Sequence, residues 1–130
     1  MANTITKTTL EDGVRNLVVL VNISGDGSGD ESKTLLIDRS TYAPTDGLKL
    51  VVVELNGMLD GFTAKLEFDG TTDLQIAGMP NGQQFEFDWD EVGGIASSKA
   101  GAGYNGDILL TTTGLGANER GTFTLFMRKA

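Results

Sequence analysis

Apolar residues recur at every second position in several stretches of this chain, the spacing that turns one face of an extended strand towards a core. Phe62, Ala64, Leu66 and Phe68 point one way, and Thr63, Lys65 and Glu67 the other. Phe85, Phe87 and Trp89 oppose Gln84, Glu86 and Asp88. Phe123, Leu125 and Met127 oppose Thr122, Thr124 and Arg128, with Phe126 out of step. Residues 17–21 and 48–55 are apolar on both faces apart from Lys49 and Glu54, which predicts strands inside a sheet. No window carries apolar residues at i, i+3, i+4 and i+7 on a helix-forming background, so no long helix is expected. The pattern predicts about nine strands. They fall near 3–9, 14–23, 33–38, 48–55, 62–68, 72–77, 83–89, 107–113 and 121–129.

Turn chemistry punctuates these runs. Asn-Gly or Asp-Gly occurs at Asp12-Gly13, Asp26-Gly27, Asp46-Gly47, Asn56-Gly57, Asp60-Gly61, Asp69-Gly70, Asn81-Gly82 and Asn105-Gly106. Such pairs accept positive φ cheaply and favour hairpin turns. Short strands at this spacing predict an all-β fold, an antiparallel β-sandwich or jelly-roll-like domain. The length fits a single domain, 1–130, with no internal repeat or linker. Residues 1–10 form either an extended arm or an edge strand, because the threonine-rich stretch 3–9 has only Ile5 to bury. The polar segment 24–32 reads as a hairpin tip. The glycine-rich segment 93–106 is a long loop of the kind that often carries function.

Charge and composition narrow the function. Eighteen acidic residues against ten basic ones give a net charge of −8, which argues against nucleic acid as the main partner. Cysteine is absent, so folding cannot depend on disulfides. The opening residues carry no apolar run, and the longest such run is too short to span a bilayer. Neither a signal peptide nor a membrane segment is expected, and synthesis in a cytoplasm is.

Little in the chain points to catalysis. Histidine is absent, which removes Ser-His-Asp and Cys-His arrangements and the commonest zinc ligand. Glu86, Asp88 and Asp90 share a strand face at a spacing a glycosidase could use, but they also read as the solvated face opposite Phe85, Phe87 and Trp89. Those aromatics could form a sugar-stacking platform, and read more simply as core. Asp26, Ser28 and Asp30 match the first ligand positions of a calcium loop. Glu31 and Ile37 then occupy positions where the motif needs glycine and glutamate. Gly101, Gly103 and Gly106 fit a dinucleotide-binding spacing, but a strand follows where that motif opens a helix. We expect no enzyme activity, no cofactor and no metal.

The segments 90–95, 99–103, 106–114 and 121–129, together with Thr8-Thr9-Leu10-Glu11-Asp12-Gly13 and Arg15-Asn16-Leu17-Val18, resemble small virion-associated proteins of tailed bacteriophages. The shared features are turns and strands, with no active site to carry over. The resemblance implies a virion structural protein, with capsid decoration (cement) on the major capsid protein as the first reading. It also implies a homo-oligomer, a trimer by resemblance only, located in the virion. The alternative is a tail- or fibre-associated or carbohydrate-binding β-sandwich module. On the first reading the candidate contact residues are Asn3, Thr4, Ile5, Thr6 and Lys7 in the arm, and Ile95, Lys99 and Tyr104 in the long loop.

Overall fold

The computed structural model describes residues 3–13, 15–42 and 50–129. Met1 and Ala2 of the expected arm, Val14, the Asp46-Gly47 turn and the Leu48-Lys49 start of one expected strand lie outside the described residues. The described residues form ten strands: β1 (Thr4–Asp12), β2 (Asn16–Ser24), β3 (Thr34–Ile37), β4 (Val51–Asp60), β5 (Thr63–Phe68), β6 (Leu74–Met79), β7 (Gln84–Asp88), β8 (Ile95–Ala96), β9 (Ile108–Thr113) and β10 (Arg120–Arg128). No helix among them is long and apolar enough to cross a membrane.

The strands make two sheets. The first runs β1-β2-β10-β4-β7, with β8 beside the opening of β4, and the second runs β3-β9-β5-β6. Every strand pair is antiparallel. Without β1 and β8, the order 2-10-4-7 faces 3-9-5-6. The chain crosses repeatedly between the layers, which is the connectivity of a jelly roll. Among the described strands, consecutive ones pair only at β1–β2 and β5–β6. Asp60-Gly61 and Asn81-Gly82, expected as hairpin centres, and the 24–32 segment, expected as a hairpin tip, therefore carry the chain from one sheet to the other.

The core lies between the sheets, and the inward faces are those the alternation marks. Leu17, Val19, Val21 and Ile23 of β2 are buried, as are Phe123, Leu125 and Met127 of β10. From the second sheet come Ala64, Leu66, Phe68, Ile108 and Leu110. Both strands that are apolar on two faces, β2 and β4, lie inside the first sheet. Phe126, out of step in the sequence, stands half-buried on the outer face.

Two sequence expectations are corrected. Asn56-Gly57 is no turn. It lies within β4, which continues to Asp60, and Gly57 sits opposite Phe123 of β10 and Phe85 of β7. Glu67, expected on a solvated face, is 8% exposed. It is flanked in register by Leu109 and Gln75, and Lys65 Nζ stands 3.9 Å from its carboxylate. The neighbouring side chains of the outer face cover it.

Candidate functional site

β1 is the most unusual element of the sandwich. It pairs with β2 along one side, and among the described residues no strand lies beside its other side. The remaining edge strands β3, β6 and β7 are four, six and five residues long, whereas β1 has nine. Natural sheets usually keep edges short or charged because their unpaired N–H and C=O groups can template another strand. Apart from half-buried Ile5, every residue of β1 is exposed. A bulge between Thr9 and Glu11 leaves Leu10 56% exposed. Lys7, Glu11 and Asp12 are its charged positions. Asp12 is committed within the chain, since its carboxylate pairs with Lys129 at the end of β10.

Asn3, a candidate contact residue, also makes bonds within the chain. Its amide donates to Gly29 O and to Glu31 Oε2, both at 2.8 Å, and its Oδ1 accepts the Asp26 N–H at 3.1 Å. The side chain therefore fastens the start of β1 to the 24–33 loop. Thr4, Ile5, Thr6 and Lys7 follow as the first residues of the exposed edge.

The long loop is also tied down. Ile95 belongs to β8, pairs with Val52 and packs half-buried against the core. Ser97 is fully buried, donates its N–H to Leu50 O at 2.8 Å and accepts the Leu50 N–H on Oγ at 2.9 Å. Ala102 O accepts the Thr71 N–H at 2.8 Å. Lys99 is exposed and Tyr104 half-buried. Arm and loop do not meet. Thr4 lies in the row of Arg120, Ile95 in the row of Met127, and the seven residue steps along β10 from one to the other span roughly 23 Å. A partner touching both must reach along the whole sheet.

The acidic residues of β7 face outwards. Glu86 lies opposite Asn56, and Asp88 opposite Glu54. Glu54, Asp88 and Asp90 border a shallow depression of about 280 Å³ that also includes Phe126 and Arg128. Glu54 accepts from the Asn56 amide at 2.9 Å, and Asp88 accepts the Asp90 N–H at 3.0 Å. The aromatic stripe faces the other way. Phe85 is buried, while Phe87 and Trp89 stack at 5.6 Å with 5° between their planes and pack against the core. In the 24–32 segment, Asp26 accepts the Ser28 N–H at 2.9 Å. Asp30 accepts the Leu115 N–H at 2.8 Å and the Thr112 hydroxyl at 3.1 Å. These carboxylates organise the loop, and no described group of three acidic residues is placed to hold a metal ion.

Those bonds set the acid response. Bonds from Ser28 lower the Asp26 pKa, the Leu115 N–H lowers that of Asp30, and the Lys33 ammonium lowers that of Asp73. Each contributes stability above the ordinary value of 3.8, which is lost as pH falls through the depressed folded value. Asp107 behaves oppositely. Burial raises its pKa, Asp38 and Asp69 add repulsion, and the Arg39 N–H, 2.8 Å from Oδ1, offsets part of this. Its carboxylate therefore costs stability at neutral pH, and the cost disappears as pH falls through the raised folded value. Asp107→Asn keeps an acceptor for Arg39 and should stabilise the protein at neutral pH by less than about 1 kcal/mol, because solvent still screens the site. Urea titrations should show the gain closing below the ordinary value of 3.8. A loss of stability at neutral pH would mean that the charged bond to Arg39 outweighs the burial.

A second depression, of about 690 Å³, opens on the outer face of the first sheet beside β1. Thr4, Thr6, Asn22, Ser24, Arg120 and Thr122 line it. Of these, only Thr4 and Thr6 were singled out in the sequence. The signal for the others is the polar half of the alternation in β2 and β10, which by itself marks solvent.

No protein-family model matches the chain, and neither does any curated protein. Among solved structures, the chain is similar to a cupin superfamily protein from Desulfitobacterium hafniense, with 12% identity and a TM-score of 0.30 over 96% of this chain and 80% of that one.

Proposed function

We propose that this protein is a structural component of a tailed-phage particle, most simply a capsid decoration protein that binds across major capsid subunits through surface contacts rather than by catalysis. The observation that supports the reading is β1, a nine-residue edge exposed apart from half-buried Ile5, with its outer backbone groups unmatched by any described strand. Such an edge gains hydrogen bonds when a neighbouring chain adds a strand, and specificity comes from alternate side chains. On a lattice, many modest contacts of this kind add up through avidity. On this reading the protein acts in the virion as a homo-oligomer, a trimer by the resemblance alone.

Quantitative mass spectrometry of purified virions tests the location. A copy number comparable to the major capsid protein is expected, and a handful of copies or none overturns the shell role. Deleting residues 1–9 should weaken particle binding. Single prolines at Thr4, Ile5, Thr6 and Lys7 separate binding from folding. Proline at positions whose N–H points outwards should block strand addition and leave the pairing with β2 intact. Alternate positions should therefore lose particle binding while remaining folded. Retained binding in all four variants would exclude the β1 edge.

A further inference from the structure

From the 690 Å³ depression beside β1, we infer a binding site for a neutral oligosaccharide on the outer face of the first sheet. The inference stands apart from the virion reading: the two share Thr4 and Thr6, but this one uses side chains on the face of the sheet and not the open backbone edge of β1.

Four adjacent strands bring two rows of side chains into register. One row is Thr4, Ser24, Arg120 and Asp60, and the next is Thr6, Asn22, Thr122 and Met58. With strands about 4.8 Å apart, each row is roughly 14 Å long, and the rows lie roughly 7 Å apart. That grid is long enough for a short oligosaccharide lying across the strands. Its volume falls in the range of small-molecule sites, roughly 300–1,000 Å³.

The chemistry of the lining selects the ligand. Threonine and serine hydroxyls donate and accept, the Asn22 amide does both, Arg120 only donates and Asp60 only accepts. None of these side chains makes a hydrogen bond or ion pair with another described group. Arg120 and Asp60 lie directly opposite in register and still form no ion pair. The adjoining 24–33 loop differs, since Asn3, Asp26, Asp30 and Glu31 all bond within the chain. Exposed Met58 supplies an apolar contact for the C–H face of a sugar ring.

Charge excludes the other occupants. One cation and one anion balance within the depression, on a protein whose net charge of −8 repels polyanions. A peptide strand would seek backbone groups, which a sheet offers at its edge and not on its face. A neutral polyol uses the donors and acceptors that are present.

The test is an amide-resolved NMR titration of the full chain with a panel of neutral linear oligosaccharides. Sulfated oligosaccharides and an extended neutral peptide are run in parallel. At least one neutral glycan should shift the amides of Thr4, Thr6, Asn22, Ser24, Arg120 and Thr122. Asn22→Ala and Arg120→Ala should each weaken its binding about tenfold or more. Gln75→Ala, on the outer face of the second sheet, should leave it unchanged. Matching melting temperatures keep folding out of the comparison. The inference is overturned by no response to any neutral glycan, by equal binding of the sulfated glycans or peptide, or by shifts centred on Trp89.

Discussion

Alanine at Gly57 is expected to destabilise the protein by about 3 kcal/mol, near the upper end for overpacking a core. Gly57 faces inwards from β4, opposite Phe123 and Phe85. A Cβ there would collide with Thr122 O, and would lie 2.5 Å from Phe123 Cα and 2.6 Å from Phe123 Cβ. These are backbone and near-backbone atoms of a central strand, so relief requires β10 to move away from β4. Trimming the ring therefore should not help, and Phe123→Ala combined with Gly57→Ala should be worse than either alone. Gly121 provides the contrast. A Cβ there meets Leu59 Cδ2 and, at 3.0 Å, Phe62 Cζ, both far ends of side chains. Leu59→Val should recover much of the loss in Gly121→Ala. Urea unfolding of these single and double variants decides the matter, and rescue of Gly57→Ala by Phe123→Ala would refute the backbone explanation.

Phe68→Ala should cost about 4 kcal/mol. Phe68 is fully buried, and it pairs with Leu74 of β6 and Ile108 of β9 where the second sheet closes on the core. Truncation removes the ring from an apolar environment and leaves a cavity that paired strands on both sides cannot collapse into. Domains are typically stable by about 5–15 kcal/mol, so the loss should be plain in both thermal and urea unfolding. Val92→Ala is the matched control, because Val92 is 77% exposed and its removal should change little. A cost below about 2 kcal/mol for Phe68→Ala would show that the sheets relax around the gap, against the rigid packing assumed here.

The strands were legible because alternation is a local property. Residues i and i+2 of a strand share a face whatever the strand pairs with. The inward sets on β2, β5 and β10 follow directly from this rule. Where the reading failed, a distant residue was the reason. Asn56-Gly57 has the composition of a turn, yet β4 runs through it because Phe123, more than sixty residues away in sequence, takes the space a side chain would fill. Glu67 looks solvated until Leu109 and Gln75 are placed on either side. Segment 93–106 was legible as a long glycine-rich loop, but nothing in its composition reveals the bonds from Ser97 to Leu50 and from Thr71 to Ala102.

Candidate surfaces divide in the same way. Threonine-rich 3–9 could be recognised as poor in core residues, which left an arm and an edge strand equally open. Its pairing with β2 and the hold of Asn3 on the 24–33 loop decide for the edge strand within the single chain. The outer-face depression was invisible, since Thr6, Asn22 and Thr122 become neighbours only once three strands align in register. The sequence by itself determined which residues extend, which faces turn inwards and that the molecule is all-β, because steric alternation and turn chemistry act within a few residues. Only the tertiary structure decided that the sheets are 2-10-4-7 and 3-9-5-6, that β1 keeps an open edge and that eight polar and apolar side chains share one depression. Those outcomes depend on which distant strands pair, and pairing is set by the packing of the whole core.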